Sequence, residues 1–169
     1  AALEHGGQVL SASDMFFGNR HHLNQPGAST GMHDGWETRR RRGPGHDWAL
    51  LRLSARGTID RVIVDTSHFK GNAPGTCTLE VADAPGVASL VPEDYQWRML
   101  LPSTPLTPHT VHEFTDALDP AGPATHAILR IYPDGGVARL RLFGRVSPEG
   151  RRALALARLD ALVPEQAEK

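Results

Sequence analysis

Cysteine is almost missing from this sequence: Cys77 stands alone among 169 residues, which excludes an internal disulfide and fits a reducing compartment. Lysine is nearly as scarce. Lys70 and Lys169 are the only two among 18 basic residues, so positive charge is carried almost wholly by guanidinium groups. Neither sign of charge is in excess. A formal net charge of −1 and a pI of about 6.8 provide no broad basic field to hold a phosphate backbone, and no nucleic-acid partner is expected. No apolar run reaches the length that crosses a bilayer, and Ala1 to Gly7 lack the apolar stretch of a signal peptide. No membrane partner is therefore expected, and the expected location is cytoplasmic. The sequence starts at Ala1 rather than Met, as a processed chain or a piece of a longer one would. A nucleophile elbow, a P-loop and a dinucleotide fingerprint are also lacking, which leaves covalent catalysis and phosphate chemistry without a motif.

Glycine and proline, by contrast, are abundant: 17 and 13 residues divide the chain into short apolar segments. That punctuation belongs to antiparallel β-proteins. Eight strands are expected, at Gln8–Ser13, Asp47–Leu53, Arg61–Asp65, Thr76–Val81, Trp97–Leu100, Thr110–Phe114, Thr125–Ile131 and Gly136–Val146. A 40% hydrophobic content supports one core. The fold class is therefore all-β, a jelly-roll β-sandwich over residues 1–147. In the last strand Ala138, Leu140 and Leu142 alternate with Arg139, Arg141 and Arg145, so a core face and a guanidinium row follow from period two. Pro148–Val163 reads as a helix, with Leu154, Leu156, Leu159 and Leu162 on an Ala/Arg background, making residues 148–169 a helical tail.

Chemistry concentrates between Asp34 and Trp48, where two tryptophans, three acids, a histidine and the run Arg39–Arg42 share one glycine-punctuated segment. Extended geometry places Glu37, Arg39 and Arg41 on one face and Trp36, Thr38, Arg40 and Arg42 on the other. One arginine pair can then point into a site, where a planar guanidinium grips a small carboxylate through two parallel hydrogen bonds and Glu37 or Asp47 steadies it or moves a proton. The competing reading is a solvated or polyanion-binding arginine run. Asp65–Asn72 follows the apolar pair Ile63-Val64 and falls where a strand opens into a loop, as a site lining or a turn. Tyr132-Pro133-Asp134-Gly135-Gly136 has the composition of a tight turn. His46, His68, His109, His112 and His126 are scattered without metal-ligand spacing. His21-His22 and His109/His112 are weighed as ligands but read as satisfied or solvent-facing, so no metal site is assigned.

Asp34–Arg42 with Gly45-His46-Asp47-Trp48, Gly57-Thr58-Ile59, Val64–Asn72, Trp97–Pro102, Thr125-His126 and Ile131–Gly144 together closely resemble the allantoicase family. The resemblance covers nearly everything from Gly6 to Gly144. It implies a galactose-binding-like jelly roll and the hydrolysis of allantoate to ureidoglycolate and urea in purine breakdown. Family members usually carry two tandem copies of this domain, whereas this chain carries one, most like the second. A homo-oligomer built from dimers is therefore expected, the leucine stripe of the tail or an exposed sheet face making contacts. Allantoate is a small carboxylate bearing two ureido groups. Arg39, Arg41, Arg139 and Arg141 suit the carboxylate, and Asn72 suits the ureido groups. Glu37, Asp65 and His68 are the expected catalytic acid–base groups. Trp36, His46, Asp47, Lys70 and Asp134 complete the expected substrate-binding set. No cofactor is required by the sequence. The alternatives are a non-catalytic small-ligand module of the same fold and a structural half of a two-copy enzyme.

Overall fold

The computed structural model describes residues 2–160. Its strands are β1 (Gln8–Ala12), β2 (Trp36–Glu37), β3 (Asp47–Asp65), β4 (Thr76–Ala82), β5 (Arg98–Pro105), β6 (Val111–Phe114), β7 (Ala124–Tyr132), β8 (Gly136–Val137) and β9 (Arg139–Val146), followed by the helix α1 (Pro148–Asp160). All pairings are antiparallel. Two layers form because β3 is long enough to belong to both. Its first half lies between β1 and β7 in the order β1-β3-β7-β4-β5, and its second half lies between β6 and β9.

The sequence reads β3 as two strands, Asp47–Leu53 and Arg61–Asp65, because its apolar parity changes. Ala49 and Leu51 face the main core from odd positions, whereas Val62 and Val64 face it from even ones. Register shifts between Arg52 and Gly57 and between Ile59 and Arg61 absorb the change. Such irregularities turn a strand over and bend it without ending it. Gly57 sits at this corner and pairs with both Ala124 and Val146. A Cβ there would lie 2.2 Å from the carbonyl oxygen of Arg145, so the close approach requires glycine.

The main core joins both layers through Ala49, Leu51, Val62, Val64, Leu79, Leu101, Leu129, Ile131, Leu140 and Leu142. A smaller cluster of Leu50, Ala82 and Tyr95 covers the outer face of the first layer. Burial pushes the Cys77 thiol up to about 12, consistent with a core residue rather than a nucleophile. The expected strand Gly136–Val146 divides at Ala138, whose N–H donates to the Asp65 carbonyl at 2.7 Å.

Helix α1 starts where the Ser147 hydroxyl accepts the Gly150 N–H at 3.0 Å. Arg56 at the β3 corner fixes this end, since its carbonyl accepts the Ser147 N–H while its guanidinium pairs with Asp83 and Glu149. Leu154 is half-buried against the body, and Leu156 and Leu159 are 61% and 55% exposed. The expected continuation to Val163, with Leu162, and the rest of the tail to residue 169 lie outside the described residues. Among the described residues no helix is long and apolar enough to cross a membrane.

Candidate functional site

The ends of β1, β2 and β3 meet at an open depression of about 320 Å³ lined by Ser13, Asp14, Arg39, Arg40, Arg41 and Asp47. Trp36 is completely buried beneath it, and its indole N–H donates to the Asp14 carbonyl at 2.8 Å. Strand pairing stops at Glu37, so face alternation does not continue into the arginine run. Thr38 turns inward with Trp36, but Arg40 and Arg42 are exposed.

The three arginines of the depression differ in what they meet. Arg39 donates through Nε and Nη2 to Asp14 Oδ1 at 3.2 and 3.1 Å, and its backbone N–H donates to Asp14 Oδ2 at 2.6 Å. Partial burial raises the Asp14 pKa, but these hydrogen bonds and the Arg39 charge outweigh it and hold the carboxyl below the usual range. Arg41 donates to Asp47 Oδ1 at 2.6 Å and to the His46 carbonyl at 3.2 Å, while its backbone N–H is fixed by Asp134 Oδ2 at 2.6 Å. Asp47, 2% exposed at its side chain, also accepts the Ser13 hydroxyl at 2.9 Å. Arg40 lines the depression with no hydrogen-bond or ion-pair partner among the described residues.

Glu37 precedes Arg39 by two residues, and its carboxylate is held by Asn72. Asn72 Nδ2 donates to Glu37 Oε1 at 2.5 Å, and the second Glu37 oxygen has no partner among the described residues. Thr38 and Gly135 exchange backbone and hydroxyl hydrogen bonds, which ties the arginine segment to the Asp134 turn. His46 accepts a hydrogen bond from Arg130 at Nε2 over 3.1 Å and tilts on Tyr132. Burial and the charges of Arg130 and Arg41 lower its pKa and favour the neutral ring.

Asp65, His68, Arg139 and Arg141 form a second group, with no hydrogen bond to the first. Arg139 is buried and directs its donors at Asp34 Oδ2 and at the carbonyls of Gly27, Ala28, Asp34 and Ala138. Arg141 donates to the carbonyls of Leu23, Gln25, Gly27 and Leu140. Asp65 caps the Ser67 N–H at 2.7 Å. His68 has φ 72°, donates its N–H to His109 Nδ1 at 2.8 Å and places Nε2 3.0 Å from the Ser29 carbonyl oxygen. His112 holds the same loop through Val64 and Thr107. Lys70 is exposed without a partner among the described residues.

Asp14 and Ser13, which sequence reasoning misses, orient Arg39 and support Asp47. Their signal is their position at the end of an expected strand, where polar side chains gather at a layer's rim. Among the described residues no group of three or more His, Cys, Asp or Glu side chains is placed to hold a metal ion.

Residues 1–147 match the family described as allantoicase repeat. A probable allantoicase of Pseudomonas aeruginosa (strain LESB58) is 48% identical over 147 residues, 86% of this chain and 44% of that protein. A probable allantoicase 2 of Burkholderia pseudomallei (strain K96243) is 48% identical over 149 residues, covering 87% and 44%. The chain thus spans less than half the length of the curated relatives it matches. Allantoicase from Saccharomyces cerevisiae superposes with a TM-score of 0.75 at 34% identity, over 86% of this chain and 42% of that one. The family 32 carbohydrate-binding module of Streptococcus pneumoniae EndoD gives 0.60 at 14% identity over 83% and 97%, a likeness of fold alone. The all-β, galactose-binding-like sandwich expected from the sequence is the fold observed.

Proposed function

Because the chain belongs to the allantoicase family, we propose that it binds allantoate and takes part in its hydrolysis to ureidoglycolate and urea. The observation that carries this reading is the unpartnered Arg40 guanidinium in a depression whose other two arginines are held by Asp14 and Asp47. A guanidinium without a protein acid is ready for a ligand carboxylate, and its planar fork matches one in two parallel hydrogen bonds.

In the reaction, the bond from the central carbon to one ureido nitrogen breaks. Water places a hydroxyl on that carbon, and the departing nitrogen takes a proton. Glu37 is the acid–base group of this scheme, because Asn72 fixes one carboxylate oxygen and leaves the other to take or give a proton. The Asn72 side-chain carbonyl serves the ureido N–H groups. Asp65 and His68 hold the Ser67 turn and the loop carrying His109, while Arg139 and Arg141 hold the loop before Asp34.

A second reading is favoured by length: as less than half of its relatives, the chain binds allantoate but needs a second domain for turnover. Both are tested by incubating the purified chain with allantoate across pH 6–9, with and without chelator, following urea release and measuring binding by calorimetry. Urea release lowered about 100- to 10,000-fold by Glu37→Gln is the expected result. Binding without urea supports the half-enzyme, and a folded chain that does neither removes both.

A further inference from the structure

His109 and His112 serve the loop after β3 as hydrogen-bond acceptors, a role that an imidazole nitrogen can fill only while it carries no proton. Nδ1 of His109 accepts the His68 N–H at 2.8 Å, and Nε2 of His112 accepts the Thr107 N–H at 2.8 Å. The other nitrogen of His112 lies 3.1 Å from the Val64 carbonyl oxygen and must donate to it, which fixes the ring proton on Nδ1. A further proton on either ring turns its accepting nitrogen into a donor that faces a backbone N–H, and that hydrogen bond is lost. His68 differs. Its Nε2 donates to the Ser29 carbonyl at 3.0 Å, a bond that survives protonation of the ring.

The backbone where these groups meet is poised to move. His68 and His109, with φ of 72° and 51°, are the two non-glycine residues of left-handed φ among the described residues, a conformation that persists only where the surroundings hold it. His109 is held by its ring and by its N–H, which donates to the Phe69 carbonyl at 3.1 Å. The rings of His68 and His109 lie 5.8 Å apart, so charging both adds repulsion. The acids on the adjoining elements already have partners: Asp65 caps the Ser67 N–H and Glu113 pairs with Arg61, while Lys70 adds only positive charge. His109 is exposed and His112 half-buried, within reach of solvent protons. We propose that His109 and His112 form a pH latch. With neutral rings it closes the loop of residues 66–72 onto residues 107–110, and with protonated rings it releases that loop and loosens the grip of Asn72 on Glu37. Closure excludes the extra protons, so it is favoured as pH rises and lost as pH falls through the range where imidazoles titrate, about pH 8 to 5. The effect on turnover rests on the role proposed for Glu37; the latch itself does not.

Hydrogen exchange followed by NMR without substrate tests the latch at pH 7.5 and pH 5.0, with each rate referred to the intrinsic exchange at that pH. The amides of His68 and Thr107 report the two imidazoles. The Gly136 amide, which donates to the Asn72 carbonyl at 2.8 Å, reports the far end of the loop. At pH 5.0 all three are expected to lose about tenfold in protection while Leu129 of β7 keeps its own. The variant His109→Asn/His112→Gln sets an amide oxygen close to each accepting nitrogen, cannot take up a proton and suits the left-handed φ through Asn, so it should keep all three amides protected at pH 5.0. His109→Asn alone, read at His68, serves should the double variant fail to fold. Protection at any of the three that is equal at both pH values, a loss shared by Leu129, or a loss as large in the variant overturns the proposal. A latch that opens as expected in a chain releasing no urea at any pH supports the proposal and counts only against the role of Glu37.

Discussion

Arg39, Arg40 and Arg41 are chemically identical and differ in what meets their guanidinium groups. Arg40→Lys keeps the charge but loses the fork, so KM for allantoate is expected to rise about tenfold while the melting temperature stays unchanged. Arg41→Ala should act the other way round, through the fold. It leaves the buried Asp47 carboxylate with only Ser13 and is expected to cost about 1–3 kcal/mol in chemical denaturation. Asp34 adds a dependence on pH. Burial raises its pKa, but the Arg139 hydrogen bond and charge, with the Thr30 N–H, prevail and hold its carboxyl below the usual range. The unfolded chain therefore binds this proton more readily. The stability Asp34 contributes is present above about pH 3.9 and is lost as pH falls through the lower folded value. Asp34→Asn should lower the melting temperature at pH 7, and its gap from wild type should narrow at pH 2.5. A gap independent of pH would remove the ion pair as its cause.

Among the elements, the β2–β8 ribbon depends on one ring. Phe69 is fully buried between Gly35 and Gly136, where added Cβ atoms would lie 2.7 and 2.0 Å from it. Gly136→Ala is expected to destabilise by about 1–3 kcal/mol through overpacking, whereas Gly71→Ala, with open space around it, should stay near neutral. Calorimetric melting of both variants distinguishes packing against Phe69 from a general intolerance of added side chains at glycine positions near it. The strand pattern, the apolar face of β9 and the crowding of polar groups around the arginine run were legible in the sequence, because burial writes itself there with period two. Two features were not. The unity of β3 is hidden by its own bulges, which move the buried set from odd to even positions. The division of site residues into two groups is hidden because the partners are remote: Asp14 serves Arg39, and Asp34 serves Arg139. Local composition announces a guanidinium but not the acid that occupies it.

At the scale of the molecule, β3 makes the two layers one unit, since neither can leave without breaking the strand the other needs. A single cooperative unfolding transition is expected, with amide protection at Leu50 and Val64 lost together in hydrogen exchange. Protection that fails first in one half would show the layers to be separable. The same strand also sets an order in time. Its second half is bordered by β6 and by β9, both of which leave the ribosome after it. At typical synthesis rates β9 follows β3 by several seconds. During that interval the edge of β3 that β9 will occupy is an unpaired template bearing Val62 and Val64, open to nascent-chain binding factors and to mispairing with neighbouring chains.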